Sequence, residues 1–345
     1  MRVLVTADAV GGVWTYLLEL ADALEPLGIE LHAATMGEPP DERQRAEAAR
    51  SALSDLHVSS FALEWEDDPW RDVDAAGEWL LELEAELRPD VVQLNGYAHA
   101  PLDWAAPAVV VAHSDVVSWW RAVEAAAPPR RLDEYRRRVA RGLEAADAVC
   151  APTRAVLDDL RESFGFEGGT VVPNGRRASG VRGIKKPLVA GLGRFWDEAK
   201  NVAALERVAD RIAWPVELAG PGTRHGRVDA DEAEALLARA TIFAAPARYE
   251  PFGLTVLEAA HAGCALVLGD IPSLREVWGE AARYVAPDDD DTLADVLDEL
   301  AADDEEVRTL AARARECASG FTPEAMAHAM ADVYEGVLAR TGAAA

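Results

Sequence analysis

The chain has 345 residues, half of them hydrophobic, which is enough to build two well-packed domains. Its 61 acidic residues outnumber its 34 basic ones and give a formal net charge of −27. A charge of this size repels nucleic acids and anionic lipid surfaces, so we expect neither nucleic acid nor strong membrane association. A local basic pocket can still bind an anion, because salt screens distant carboxylates over about 8 Å.

The three cysteines and the start of the chain indicate the class of protein. Cys150, Cys264 and Cys317 are far apart and show no metal-binding spacing, so we predict neither a disulfide framework nor a metal cluster. The chain begins MRVLVTADAV, without a charged leader before a long apolar segment, and no apolar stretch is long enough to span a membrane. We therefore expect a soluble, cytoplasmic protein.

Residues 1–174 alternate between strand and helix patterns. Short β-branched runs predict strands at 2–7, 29–35, 56–62, 90–94, 108–112 and 147–151. Amphipathic spacing predicts helices at 13–27, 74–88 and 131–146. This alternation is typical of a parallel sheet with helices on both faces.

Residues 175–186 lie in a stretch rich in Gly, Pro and basic residues, which predicts a linker. A second alternation follows in residues 187–321. Its strands are predicted at 187–191, 215–219, 241–245, 264–268 and 282–285, and its helices near 199–213, 231–239, 255–262 and 290–317. The economical interpretation is two Rossmann-like α/β domains whose ligand sites lie at the carboxyl ends of their strands and face a common cleft.

The segment ARYEPFGLTVLEAAHAGC, residues 247–264, places two carboxylates, Glu250 and Glu258, around the start of a helix. The residues that open this helix are Phe252, Gly253, Leu254 and Thr255. Unpaired amides at a helix start suit a phosphate, and glycine allows close approach, while flanking carboxylates can accept hydrogen bonds from hydroxyls. A nucleotide sugar has this pattern, because its diphosphate lies between the hydroxyls of the ribose and those of the sugar. The alternative is that Glu250 favours the helix dipole and Glu258 is merely solvated.

This segment resembles the E-x7-E signature of the retaining glycosyltransferases of family 4, which have the two-domain GT-B fold. Similar stretches are PLVAGLGRFWDEAKN, IPSLREVWGEAARYVAPDDDDTLADVL, VVPNGR and ADAVGGVWTYLLELADAL, so the resemblance covers nearly the whole chain. It implies that Arg194 and Lys200 hold the diphosphate of the donor and that His113 contacts the transferred sugar. It also implies that residues 322–345 form a helix that packs back on the N-terminal domain.

The expected reaction moves a sugar from a nucleotide-sugar donor to the hydroxyl of a small-molecule or saccharide acceptor. Arg194 and Lys200 have a physical reason of their own, since fixed cations offset the charge that gathers on a diphosphate leaving group. We therefore expect no metal and no cofactor. The four aspartates at 288–291 precede a helical pattern, so we predict that they cap that helix.

Two further candidates lie in the N-terminal domain. Gly11 and Gly12 close the loop after the first strand, where they either contact the donor or form a plain tight turn. His113 ends a strand pattern at the carboxyl edge, where a capping or core histidine is the alternative.

Three other classes of protein remain open. A GT-B nucleotide-sugar epimerase shares the fold, and a non-catalytic protein could bind the same nucleotide sugar. An NAD-dependent oxidoreductase is disfavoured because ADAVGGVW lacks G-x-G-x-x-G. The segment 219–231 is shorter than its counterpart in the family, which leaves the base undetermined, although His225 and Arg227 are candidates there.

Overall fold

The computed structural model describes residues 1–181, 183–194, 196–220 and 230–344, except for the side chains of residues 230 and 342–344. The chain divides into two compact units. The first contains residues 1–120, 126–175 and the C-terminal segment from Pro323, and the second contains residues 121–125 and 176–322.

Twelve strands are present in the described residues. They are β1 (Arg2–Asp8), β2 (Glu30–Met36), β3 (Asp55–Val58), β4 (Val91–Leu94), β5 (Ala108–Val111), β6 (Ala148–Ala151), β7 (Thr170–Val171), β8 (Lys186–Leu192), β9 (Val216–Ala219), β10 (Ala240–Ala245), β11 (Ala265–Gly269) and β12 (Ala282–Val285).

Thirteen α-helices accompany them in the same described residues. They are α1 (Gly12–Leu24), α2 (Glu42–Ala48), α3 (Trp70–Leu87), α4 (Val116–Glu124), α5 (Asp133–Ala145), α6 (Arg154–Phe164), α7 (Val202–Val208), α8 (Ala230–Arg239), α9 (Leu254–His261), α10 (Pro272–Trp278), α11 (Asp290–Ala302), α12 (Asp304–Ala318) and α13 (Pro323–Ala344). Within the described residues, every helix is too short or too polar to cross a lipid bilayer.

The sheet of the first unit has the order β3-β2-β1-β4-β5-β6-β7, and all of its strand pairs are parallel. The strand order reverses between β1 and β4. In an open parallel sheet, such a switch point leaves a crevice at the carboxyl ends of the two strands, where ligands bind. The loops after β1 and β4 are therefore the natural places for a site in this unit.

The sheet of the second unit has the order β12-β11-β10-β8-β9, also with parallel pairs. Its order reverses between β8 and β10. The loop after β8 contains Arg194 and Lys200, and the loop after β10 contains Glu250 and Gly253. These four candidates thus follow the two strands that flank the switch point.

Helix α13 returns to the first unit and packs against α1. Its buried face consists of Met326, Met330, Tyr334 and Val337, which belong to the hydrophobic cluster between this helix and the sheet. Burying one large apolar side chain contributes about 1.5 to 3 kcal/mol, so this helix supplies a substantial part of the first unit's core.

The structure corrects two boundaries expected from the sequence. The single helix expected near 290–317 is two helices, because Asp303 leaves the helical conformation and its carboxylate caps α12 by accepting from the amides of Glu305 and Glu306. Strand β8 begins at Lys186, one residue before the strand expected at 187–191. The cap expected in the aspartate run is confirmed, because Asp289 accepts from the amide of Thr292 at the start of α11.

Candidate functional site

The centre of the candidate site in the second unit is an ion pair between Lys200 and Glu250. Lys200 Nζ lies 2.7 Å from Glu250 Oε2, and the two side chains are 24% and 14% exposed. Lys200 ends a short 3-10 turn that begins after Asp197, whose carboxylate accepts from the amide of Ala199. An ammonium group has three donors, so Lys200 can bind Glu250 and still donate to an anion.

Arg194 is held in place on two sides. Its Nη2 donates to Asp197 Oδ2 at 2.8 Å, and its guanidinium carbon lies 4.9 Å from the ring centre of Trp196. Asp197 is buried, whereas 35% of the Arg194 side chain is exposed. A guanidinium group has five N–H donors, so donors remain for a phosphate.

The start of α9 provides backbone amides beside this ion pair. Gly253 has φ 94° and ψ 65°, and no side chain among the described residues caps the helix there. A side chain at Gly253 would be strained by this φ, and its Cβ would lie 3.0 Å from Val256 Cγ2. The start of the helix thus combines the positive end of the dipole with first amides that no described side chain caps, which suits an anion.

The structure distinguishes among the residues predicted to open α9. Phe252 is buried in the core of the second unit, with its ring edge-on to Phe321 at 5.4 Å. Its side chain is therefore unavailable to a ligand, and its predicted donor contact is restricted to its backbone. Leu254 packs against the same cluster, and Thr255 is partly buried.

Glu258, about one turn into α9, is not merely solvated. Its Oε1 accepts from Arg176 Nε at 2.8 Å, and both side chains are about one quarter exposed. The two residues line one small pocket together with Ser179 and Glu234. Sequence reasoning missed Arg176 as a partner, although the arginine that ends the VVPNGR motif was the available signal.

His113, the predicted sugar contact in the first unit, lies in a polar network that follows β4 and β5. Its Nε2 is 3.2 Å from Asn95 Oδ1, which also accepts from Gln93 Nε2 at 3.0 Å. Because that oxygen only accepts, His113 carries its proton on Nε2 and leaves a lone pair on Nδ1. The ring packs edge-on against Tyr16, with centroids 4.6 Å apart. Burial lowers the pKa of His113 to about 4, so the imidazole is neutral at pH 7.

The network reaches α13 through Gln93. The hydroxyl of Tyr334 donates to Gln93 Oε1. The backbone N–H of Asn95 donates to Thr6 Oγ1 at 3.0 Å. Gln93 and Tyr334 are both buried, and neither was a sequence candidate. The signal for Gln93 was an amide within the otherwise apolar run DVVQL.

Gly11 and Gly12 lie where the sequence predicted, between β1 and α1. Gly11 has φ 69° and ψ −133°, a conformation that favours glycine, and it precedes α1 without a side-chain cap among the described residues. Gly12 is the first residue of the helix. The arrangement serves both a tight turn and amides open to a ligand, so the predicted donor contact stays a prediction. His225 and Arg227 lie outside the described residues.

Two family models match the chain. One, described as Glycosyltransferase Family 4, matches residues 10–178, and the other, described as Glycosyl transferases group 1, matches residues 213–317. The chain is 28% identical to a D-inositol 3-phosphate glycosyltransferase of Xylanimonas cellulosilytica, over 95% of this chain and 92% of that one. Glycogen synthases of two Mycobacterium tuberculosis strains are 43% identical over 115 residues, which is 32% of this chain, so the chain spans only 27% of the length of these curated relatives.

Solved structures share the architecture over nearly the whole chain. A sucrose-phosphate synthase from Thermosynechococcus elongatus superposes with a TM-score of 0.81 at 18% identity, over 99% of this chain and 100% of that chain. Anabaena HepE, solved in complex with UDP and glucose, superposes with a TM-score of 0.75 at 14% identity, over 97% and 100%. These likenesses show the GT-B fold. The two family models, which together match most of the chain, show that it belongs to glycosyltransferase family 4.

Proposed function

We propose that this protein is a retaining glycosyltransferase that transfers the sugar of a nucleoside diphosphate sugar to an acceptor hydroxyl without a divalent metal. The observation that carries the proposal is the Lys200–Glu250 ion pair beside the uncapped start of α9, at the switch point of the second sheet. This arrangement joins a cation, a carboxylate and free amides at the position where an open parallel sheet binds ligands.

The diphosphate of the donor would bind to the positive groups around this switch point. Lys200 and the exposed donors of Arg194 supply charge, and the first amides of α9 supply hydrogen bonds. Charge on the leaving phosphate increases as the bond to the sugar breaks, so these preorganised groups stabilise the transition state more than the ground state. This is the reason for proposing a reaction that needs no metal ion.

The two glutamates would bind the two sides of the diphosphate. Glu250 would accept hydrogen bonds from hydroxyls of the transferred sugar, and its ion pair with Lys200 would keep it in position. Glu258 would accept a hydrogen bond from a ribose hydroxyl, and the hydrogen bond from Arg176 Nε to its Oε1 would help to orient the carboxylate. His113 would contact the transferred sugar through the lone pair on Nδ1, since its Nε2–H donates to Asn95 Oδ1.

The proposed reaction is a front-face substitution. The bond between the anomeric carbon and the phosphate oxygen breaks, the acceptor oxygen bonds to that carbon on the same face, and the acceptor proton passes to the leaving phosphate. The configuration of the anomeric carbon is thereby retained without a covalent intermediate. A trapped glycosyl-enzyme would contradict this mechanism.

A donor screen tests the proposed function. Thermal shift with a panel of UDP-, GDP- and ADP-sugars identifies the donor, and mass spectrometry of products formed with cell extract detects transfer. We expect one nucleotide class to raise the melting temperature and to yield a glycosylated product. Epimerised donor in the absence of acceptor would indicate an epimerase, and tight binding without any product would indicate a sensor, so either result contradicts the proposal. Glu258→Gln serves as the control that separates binding at this site from binding elsewhere.

A further inference from the structure

Three side chains with metal-ligand chemistry lie on one face of the first unit's sheet, away from the strand ends that carry the candidate site. His32 is on β2, and Asp55 and His57 are on the neighbouring strand β3. The parallel register places Asp55 directly beside His32, and His57 lies two residues further along β3. Because residues two apart in a strand point to the same face, the three side chains converge.

The ligand atoms of the three side chains are close to one another. One atom from each of the three lies within 4.8 Å of the other two, and His32 Nδ1 is 3.9 Å from Asp55 Oδ2. Two ligand atoms at about 2.1 Å from a tetrahedral zinc ion are separated by about 3.4 Å. Side-chain rotations that move the ligand atoms by roughly 1 Å would therefore bring them to zinc-binding distances. The geometry is thus near that of a bound site without a change in the backbone.

Three of the four imidazole nitrogens are buried without a hydrogen-bond partner in the part of the chain that the structure describes. His32 is only 9% exposed, and neither of its ring nitrogens is hydrogen-bonded there. His57 Nε2 is likewise buried without a partner among these residues. An unsatisfied buried polar group costs about 1 to 3 kcal/mol, so three such nitrogens at one place require an explanation.

We propose that His32, Asp55 and His57 bind one divalent transition-metal ion of the zinc class, with a solvent water as the remaining ligand. Two imidazoles and one carboxylate favour such ions over Mg²⁺ or Ca²⁺, which prefer oxygen ligands. The Asp55 side chain is 60% exposed and gives the ion a route from solvent.

The charges around the site partly balance. Asp55 and Glu30 favour a cation at His32, whereas Arg2 opposes it. Arg2 is itself engaged, because it lies 3.8 Å from Glu30 and donates to the Leu87 carbonyl oxygen. The ion would bridge β2 to β3, a four-residue strand at the edge of the sheet. Its expected role is therefore to stabilise this edge, independently of the proposed transferase reaction.

Calorimetry with ZnCl₂ on the full chain, after removal of metals with EDTA, tests the proposal. We expect one zinc ion per chain, with affinity lowered at least about tenfold in His57→Gln and in Asp55→Asn. His328→Gln is the matched control, because His328 is an exposed histidine on α13 outside the cluster, and it should bind zinc like the wild type. Cobalt should bind at the same site and give the visible absorption of a tetrahedral ion with nitrogen ligands.

Thermal unfolding provides a second measurement that does not depend on activity. Zinc should raise the melting temperature of the wild type and of His328→Gln, but not of His57→Gln or Asp55→Asn. Equal melting temperatures of all four proteins in EDTA would show that the variants fold. Asp55→Asn is the variant least able to disturb folding, because the Asp55 side chain is exposed and lies outside the core. Failure of the wild type to bind zinc, or equal binding by both variants, would overturn the proposal.

Discussion

Lys200 Nζ lies 2.7 Å from Glu250 Oε2, although the two residues are fifty positions apart in the sequence. The contact joins the loop after β8 to the loop after β10 across the switch point of the second sheet. Each side chain therefore holds the other in position, and the substitution of one also affects the other. Effects of substitutions at Lys200 and Glu250 should accordingly be non-additive in a double-mutant cycle.

Glu250 and Glu258 should have different effects when they are removed. We expect Glu258→Ala to weaken the binding of the free nucleoside diphosphate at least about tenfold, because a lost hydrogen bond to a charged group costs about 1.5 to 3 kcal/mol. Glu250→Ala should lower turnover and leave binding of that product nucleotide nearly unchanged, because the proposed ligand of Glu250 is the transferred sugar. Calorimetry with the nucleotide of the active donor measures both. Equal loss of nucleotide binding in the two variants would show that these roles are wrongly assigned.

His113 should make the stability of the first unit depend on pH in a defined window. The pKa of His113 is about 4 in the folded protein and about 6.5 when unfolded. Between these values the unfolded chain binds a proton that the folded protein does not. Stability is therefore complete above about pH 6.5 and falls as the pH drops toward 4, by at most about 1.4 kcal/mol per pH unit from this group.

Urea unfolding at pH 7.5 and pH 5 measures this effect in the wild type and in His113→Gln. His32 and His99 also have lowered pKa values, but they are present in both proteins and cancel in the comparison. We expect the free energy of unfolding of His113→Gln to fall less between the two pH values. Identical losses in both proteins would contradict the neutral, buried state of this ring.

Tyr334 should couple α13 to the polar network that holds His113. Tyr334→Phe removes the donor to Gln93 Oε1 and leaves a buried acceptor unsatisfied, which should cost about 1 to 3 kcal/mol in unfolding free energy. Deletion from Pro323 should be far more damaging, because it uncovers the cluster on α1. Glu335→Ala is the control, since its side chain is exposed on the same helix. A truncated protein with unchanged melting temperature would contradict this role of α13.

Much of the fold was accessible from the sequence, because alternating strand and helix patterns define parallel α/β units. The loops after β8 and β10 were also predictable, since their functional residues form short contiguous motifs. Arg176 and Tyr334 were not predictable as partners, because their contacts with Glu258 and Gln93 join positions 82 and 241 residues apart. The cluster of His32, Asp55 and His57 was not predictable for the same reason, since it depends on the register between β2 and β3.

Phe252 illustrates a different limit of sequence reasoning. Its place in the signature indicates ligand contact, but its side chain completes the core against Phe321. A motif identifies which segment approaches a ligand, whereas packing decides which of its atoms do so. The amides after Gly253 are therefore better candidates for donor contact than the ring beside them.

The cations at the switch point should account for most of the stabilisation of the leaving group. Removing one preorganised donor to a developing anion costs about 100-fold to 1,000-fold in rate, so Arg194→Ala and Lys200→Ala should each lose that much kcat. Both proteins should still fold, because these side chains lie in a polar loop and remain partly exposed.

Arg194→Lys should recover only part of the rate, because lysine keeps the charge but cannot bind both Asp197 and a phosphate with the planar fork of arginine. Turnover should survive excess EDTA if these cations serve in place of a metal ion. Any loss on chelation must be compared between the wild type and His57→Gln, since removal of zinc from the proposed sheet-edge site would lower stability in the wild type alone. Loss of turnover with EDTA in both proteins, or full turnover without Arg194 and Lys200, would show that the leaving group is stabilised by something other than these cations.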